Sequence, residues 1–234
     1  RLANTEVFLQ FQSIGVWGNA SALTGDGGAG AQIGTRSSFG EPESASDGLR
    51  DVGFHQAYLT LKNFMGQAVN AKIGRQQVVL DGHRLFGHTG WTDGGNSMDA
   101  IRLDHSAGNH TLNYIYIAGT ENESSSNSHD ANVDFHVFRA NTQGVMGGDL
   151  TGYFVAVDDN SASTALDDQN TWYTIGARQK GKLGGLDYRV EYYHQFGDGA
   201  VRATGSGFPL AYTGTTANNS VDIDRNASMV GVRL

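Results

Sequence analysis

Between residues 74 and 103 the chain sets three arginines among acids. The segments are Gly74-Arg75-Gln76-Gln77, Leu80-Asp81-Gly82-His83-Arg84-Leu85, Trp91-Thr92-Asp93 and Met98-Asp99-Ala100-Ile101-Arg102-Leu103. Guanidinium groups bind carboxylates in a fork of parallel hydrogen bonds, and acidic neighbours temper the attraction so that a bound acid is released. The chemistry offered is reversible recognition of an anion. Bond-making chemistry is harder to find. His83, His88, His105, His110, His129 and His136 lack the spacing of a zinc site and fall on different predicted strands and loops. His136 beside Asp134, with the hydroxyl of Thr174 elsewhere, has hydrolase side chains but no nucleophile motif. Asp158, Asp159, Asp167 and Asp168 have the oxygen chemistry for a loop Ca²⁺, although solvated extracellular acids account for them better. No cofactor and no catalytic residue is expected.

The elements that must carry these side chains are strands. The 234 residues include 33 Gly, 2 Pro and no Cys, with 38% hydrophobic residues, and no convincing amphipathic helix is present. One all-β domain over residues 1–234 accommodates that length. No run approaches the roughly 18 apolar residues of a spanning helix, so a membrane role would fall to short alternating strands. A mean hydropathy of -0.37 fits a barrel with a wet interior and a soluble β protein alike. A net charge of -8 argues against nucleic acid as a partner, because phosphate binding needs an excess of Lys and Arg. The chain opens on Arg1-Leu2-Ala3-Asn4 without a secretory signal, so a processed or truncated start is expected of an exported protein.

About ten strands are legible, each near the ~9 to 11 residues that cross a bilayer when tilted. Val7, Leu9 and Phe11 alternate with Gln10 and Gln12; Ala57, Leu59 and Leu61 with Gln56, Tyr58 and Thr60; Val69, Ala71 and Ile73 with Asn70 and Lys72. Later strands place Val133, Phe135 and Val137 against Asp134 and His136, and Tyr153, Val155 and Val157 against small residues. They also set Tyr173, Ile175 and Ala177 against Trp172, Thr174 and Arg178, and Tyr188, Val190 and Tyr192 against Arg189, Glu191 and Gln195. Long Gly, Ser, Asn and Asp stretches alternate with short turns near Asn63, Ser106, Thr142 and Lys182. That asymmetry is the one between extracellular loops and periplasmic turns of outer-membrane barrels.

A soluble sandwich would alternate just as well. A face bearing Lys72, Arg178, Arg189 and Glu191 is too charged for a packed soluble core, and this favours a transmembrane antiparallel up-and-down β-barrel with a polar lumen. On that reading Leu59, Val137, Val155, Ile175 and Tyr188 point to lipid, while Lys72, Arg178, Arg189 and Glu191 point inward.

The segments from Gly74 to Leu103 resemble the alginate export family of outer-membrane porins, whose pattern runs GRQE, YGDxRLIG, DWSN and FDGVRL. HQAYLTLKN from His55, Thr174-Ile175-Gly176-Ala177-Arg178 and the YYHQFGD ending at Asp198 are similar to further family strands, so the resemblance covers residues 53–198. It implies an outer-membrane channel for anionic saccharides such as alginate-like polyuronates, or for other small acids. It assigns Arg75, Arg84 and Arg102 to a positive constriction, with Asp81 and Asp99 as partners in an inward-folded loop. Two positions depart: Asn96 stands where the family usually has Arg, and the DWSN-like segment reads Gly-Trp-Thr-Asp. The alternative roles are structural bracing by these arginines and a plugged barrel acting as scaffold or adhesin.

Three expectations complete the reading. Residues 78–97 fold into the lumen, anchored by Leu85 and Phe86. Arg75 shares strand parity with the lipid-assigned Val69, Ala71 and Ile73, so it reaches the lumen only through a bulge or a rim position. Family members close with roughly 18 strands, so ten strands, a start inside what resembles a third family strand and an end at Leu234 without a terminal aromatic are expected of an incomplete barrel.

Overall fold

The computed structural model describes residues 4–12, 53–88, 95–120, 133–159, 170–202 and 220–234. Among the described residues it is all-β apart from one 3₁₀ turn, Phe64–Gly66. Ten antiparallel strands follow one another up and down: β1 (Thr5–Gln12), β2 (Gly53–Leu61), β3 (Val69–Gln76), β4 (Met98–Ala107), β5 (His110–Thr120), β6 (Val133–Val145), β7 (Gly148–Asp159), β8 (Asn170–Leu183), β9 (Leu186–Arg202) and β10 (Ser220–Arg233). Their order in the sheet is their order in the chain, and the sheet is open, with β1 and β10 at its edges. Long and short connections alternate as the sequence predicts. Each strand therefore has a long-loop end and a short-turn end.

The short turns explain themselves locally. Gly184 and Gly185, at φ +57° and +87°, make the two-residue turn whose twist suits a hairpin. Met146 and Gly147 do the same between Val145 and Gly148, at φ +48° and +74°. Two turns lie beyond their predicted positions. Thr142 is inside β6, because Gly144 at φ +85° forms a bulge that lets the strand continue, and Lys182 is inside β8. Strands β6 to β10, at 12 to 17 residues, also outrun the expected length.

The chain divides into two compact units, residues 1–103 with 117–120, and residues 104–116 with 121–234. In the first, β1 to β3 have one polar face and one apolar face. Glu6 pairs with Lys62, the Gln56 amide donates to Gln10 Oε1 at 2.6 Å, Phe8 stacks on Tyr58, and Lys72 Nζ lies 3.7 Å from the centroid of the Tyr58 ring. On the alternate face Val7, Leu59 and Ile73 are in register. Val7, Leu9 and Ile73 there are exposed.

In the second unit one face is exposed and apolar. Phe138, Phe154 and Ile175 are cross-strand neighbours, as are Tyr192 and Val230, and Val190 and Val232. Aromatic contacts link Tyr114, Phe138, Phe154, Tyr173 and Phe196 along it. The other face is buried and mixed, with Val137, Thr151, Tyr153, Val155, Arg178, Glu191 and Tyr193.

This corrects the predicted facing of β6 and β7. Val137 pairs with Val155 and Val155 with Thr174, so both valines share the face of Thr174 and Arg178, opposite Ile175. The reason lies in β6, where each face carries both kinds of residue. Val133, Phe135 and Val137 continue as Arg139 and Asn141, while Asp134 and His136 continue as Phe138. The polar pair on the exposed face is satisfied there: the Tyr116 hydroxyl donates to Asp134 Oδ1 at 2.6 Å, and the Tyr114 hydroxyl lies 2.9 Å from His136 Nδ1.

Candidate functional site

The structure brings Arg75 and Asp99 together. Arg75 Nε and Nη2 donate to the two carboxylate oxygens at 3.1 and 2.8 Å, a fork across β3 and β4. Arg75 is the penultimate residue of β3 and Asp99 the second of β4, so the pair lies at the long-loop rim. Gly74, at φ +119°, lets the Ala57 carbonyl approach to 2.5 Å of where a Cβ would stand, yet register continues unbroken through Tyr58 and Gly74 to Ala57 and Arg75. Arg75 thus stands near the strand end with no bulge in the pairing of β2 and β3.

Arg102 is elsewhere. Along β4, Met98 and Ala100 are buried while Asp99 and Ile101 are exposed, which gives Arg102 the parity of Met98 and Ala100, opposite Asp99. Arg84 is exposed in the connection after β3, and Asp81 and His83 adopt left-handed backbone there, at φ +47° and +58°. That connection packs through Val78, Leu80 and Phe86, all buried, and the Leu80 amide donates to the Phe86 carbonyl at 3.3 Å. Leu80 thus fills the anchoring role expected of Leu85, which is half-buried. Trp91-Thr92-Asp93 lies outside the described residues, as do the long connections at residues 13–52, 121–132, 160–169 and 203–219.

Beside this loop the strands present amides. Gln77 receives two contacts, its backbone N–H donating to Gln56 Oε1 at 3.1 Å and its side-chain nitrogen lying 2.8 Å from His55 Nε2. The fully buried Gln76 amide donates to the Ala100 carbonyl at 2.9 Å. Sequence reasoning overlooked His55, Gln56 and Gln77 as a set, because side-chain amides without charge stand out only when placed together.

The second unit holds the strongest charge cluster among the described residues. Arg178 Nε donates to Glu191 Oε1 at 3.0 Å, with 9% and 1% of the two side chains exposed. Arg189 Nε approaches the same oxygen at 3.5 Å. β8 and β9 impose this by register, since Arg178 and Glu191 are direct cross-strand partners. On the same face of β5 and β6, Arg139 donates to Asn113 Oδ1 at 2.9 Å, and the Asn113 amide donates to Asp104 at 2.5 Å. At the long-loop end, the Arg225 guanidinium carbon lies 4.0 Å from the centroid of the Trp172 ring. Arg139 and Arg225 were absent from the predicted site; their alternation was readable, but nothing in it marks which face they share with Arg178.

The weaker sequence signals stay apart. Among the described residues no group of three or more metal-type ligands forms; His83 and His88 meet edge to face at 5.0 Å, and His129 lies outside the described residues. Asp134 and His136 are on the face opposite Thr174. Of the four loop acids, Asp158 accepts a bond from Thr171 Oγ1 at 3.5 Å, while Asp167 and Asp168 lie outside the described residues. No described helix is long and apolar enough to cross a membrane, which bears only on helical spans.

A family model described as alginate export matches residues 19–219. No curated protein and no solved structure matches the chain.

Proposed function

We propose, from the premise that this chain belongs to the alginate export family, that it acts as an outer-membrane channel for passive passage of anionic saccharides or other small acids. The observation that carries this reading is the division of faces in the second unit. Phe154, Ile175, Val190, Tyr192, Val230 and Val232 stand exposed on one side, and Arg139, Arg178, Arg189, Glu191 and Arg225 share the other. A bilayer rewards such an arrangement only when the apolar face meets lipid and the charged face meets a water-filled lumen. Transport then needs no cofactor and no bond-making step.

Selectivity comes from lumen cations. We assign to selectivity Lys72 and Arg102 of the first unit, with Arg84 and Asp81 in the loop after β3, and, in the second unit, Arg178 and Arg189. The Arg75–Asp99 fork braces the rim and adds little net charge. Arg178 and Arg189 approach the same Glu191 carboxylate, and an acid among the cations tempers the attraction so that a passing anion is released.

The test is the reversal potential of the full-length protein in a planar bilayer across a KCl gradient. The expected result is an anion-selective potential that moves toward zero in Arg84→Ala and Arg102→Ala, with total conductance changed less than selectivity. A cation-selective parent would overturn the anion reading. A parent folded in the bilayer but passing no current would favour the plugged scaffold instead.

A further inference from the structure

Of the arginines on the mixed face of the second unit, three are committed to the protein itself. Arg139 donates to Asn113, and Arg178 and Arg189 both engage Glu191. Arg225 differs. Its guanidinium lies on the Trp172 ring, and its Nε is buried with no hydrogen-bond partner among the described residues.

The backbone builds this arrangement. Trp172, Gly197 and Arg225 are consecutive cross-strand partners on β8, β9 and β10. Gly197 has φ +123°, and a Cβ there would stand 2.6 Å from the Thr171 carbonyl oxygen and 3.2 Å from Trp172 Cβ. The missing side chain leaves room for Arg225 to cross β9 and lie on the indole. The nearest acids on these strands, Asp198 and Asp224, are paired in register at the alternating positions. One step toward the short turns, about 7 Å along the strands, the Gln195 amide donates to Thr174 Oγ1 at 3.5 Å, and both residues are half-buried.

A guanidinium stacked on an aromatic ring is held flat, with its charge unneutralised and its in-plane N–H groups free for a planar anion. We infer that Trp172 and Arg225 form a carboxylate-binding subsite at the long-loop end of the charged face, with Thr174 and Gln195 supplying hydroxyl contacts to the same saccharide. The ligand class is an acidic sugar carrying a carboxylate. The subsite rests on the channel reading to the extent that this face must border water. Its role is first capture or last release, distinct from the Arg178–Glu191–Arg189 cluster six residues further along β8.

The test uses the full-length protein folded in detergent, titrated with tri-galacturonate and, as the neutral counterpart, maltotriose. The readout is tryptophan emission. The chain has three tryptophans, so the Trp172→Phe variant isolates the signal of Trp172. Saturable quenching by tri-galacturonate is expected in the parent and absent in Trp172→Phe. Arg225→Gln should weaken the apparent affinity about tenfold, the scale of a charge-assisted fork. Arg225→Lys, which keeps charge and stacking but loses the fork, should fall between. Equal quenching by maltotriose, or an Arg225→Gln titration that overlays the parent, overturns the subsite. Conductance of the same preparations separates the two claims. A parent that binds tri-galacturonate but passes no ions keeps the subsite and refutes the channel. A parent that conducts while Trp172 emission stays unmoved keeps the channel and refutes the subsite.

Discussion

Two guanidinium–carboxylate pairs of nearly equal length sit in opposite surroundings. Arg75 grips Asp99 with both ends of its fork, but 53% of the Asp99 side chain is exposed. Arg178 Nε reaches Glu191 at 3.0 Å, the carboxylate is 1% exposed, and a second arginine approaches it. Burial separates the two pairs. Burial decides energetics, because solvent screens an exposed pair and pays back most of what separation costs, whereas a buried charge stripped of its partner has nothing to replace it. The rim pair is a brace; the buried trio is part of the wall.

The largest expected contrast comes from removing each carboxylate. Glu191→Gln leaves two guanidiniums facing each other and should cost ~3 to 5 kcal/mol, read as a drop in the urea midpoint of the detergent-folded protein. Asp99→Asn should cost under ~1 kcal/mol. Similar losses for the two would mean that water reaches Glu191 freely and that the distinction is empty.

A second contrast tests which faces these pairs belong to. Ile175 and Thr174 are adjacent in sequence and opposite in facing. Arginine at Ile175 should impair assembly by ~2 to 4 kcal/mol if it meets mid-bilayer lipid, while Thr174→Arg, on the half-buried charged face, should assemble better. Electrophoretic mobility of unheated samples separates folded from unfolded barrels. If the two variants assemble equally well, the register-based facing of β8 is wrong.

Salt sharpens the comparison with a smaller effect. Raising ionic strength from 0.1 to 1 M shortens the screening length from about 10 to 3 Å. The deficit of Asp99→Asn should therefore vanish in high salt, and that of Glu191→Gln should persist. The smallest change is expected of Arg75→Lys, a few tenths of a kcal/mol, since the charge survives and only the fork is lost. A loss above 1 kcal/mol would give the rim pair a larger part than its exposure implies.

Much of this was legible from residue types. Period-two alternation and glycine-rich punctuation place ten strands, and Gly184-Gly185 marks its hairpin because glycine accepts positive φ at both positions without strain. The turn expected near Thr142 was displaced for a reason of the same kind: Gly144 absorbs an extra residue as a bulge, and a glycine in sequence does not say whether it bends a strand or ends it. Leu80 outcompeted Leu85 as the loop anchor because two left-handed residues, Asp81 and His83, turn the chain between them.

What the sequence by itself determined is the set of residues on each strand that must share a face, because the pleat repeats every two residues whatever surrounds it. That was enough to group Arg178 with Thr174 and Arg189 with Glu191, and to gather the family's motifs between Gly74 and Leu103. Which group meets its neighbour across the gap between strands was decided only by tertiary structure. Cross-strand register put Val155 beside Thr174, carried Arg225 over Gly197 to Trp172, and brought Asp99 to Arg75. Register depends on turn geometry and bulges summed along the whole sheet, and a slip of one residue exchanges the two faces, so no single strand carries that information.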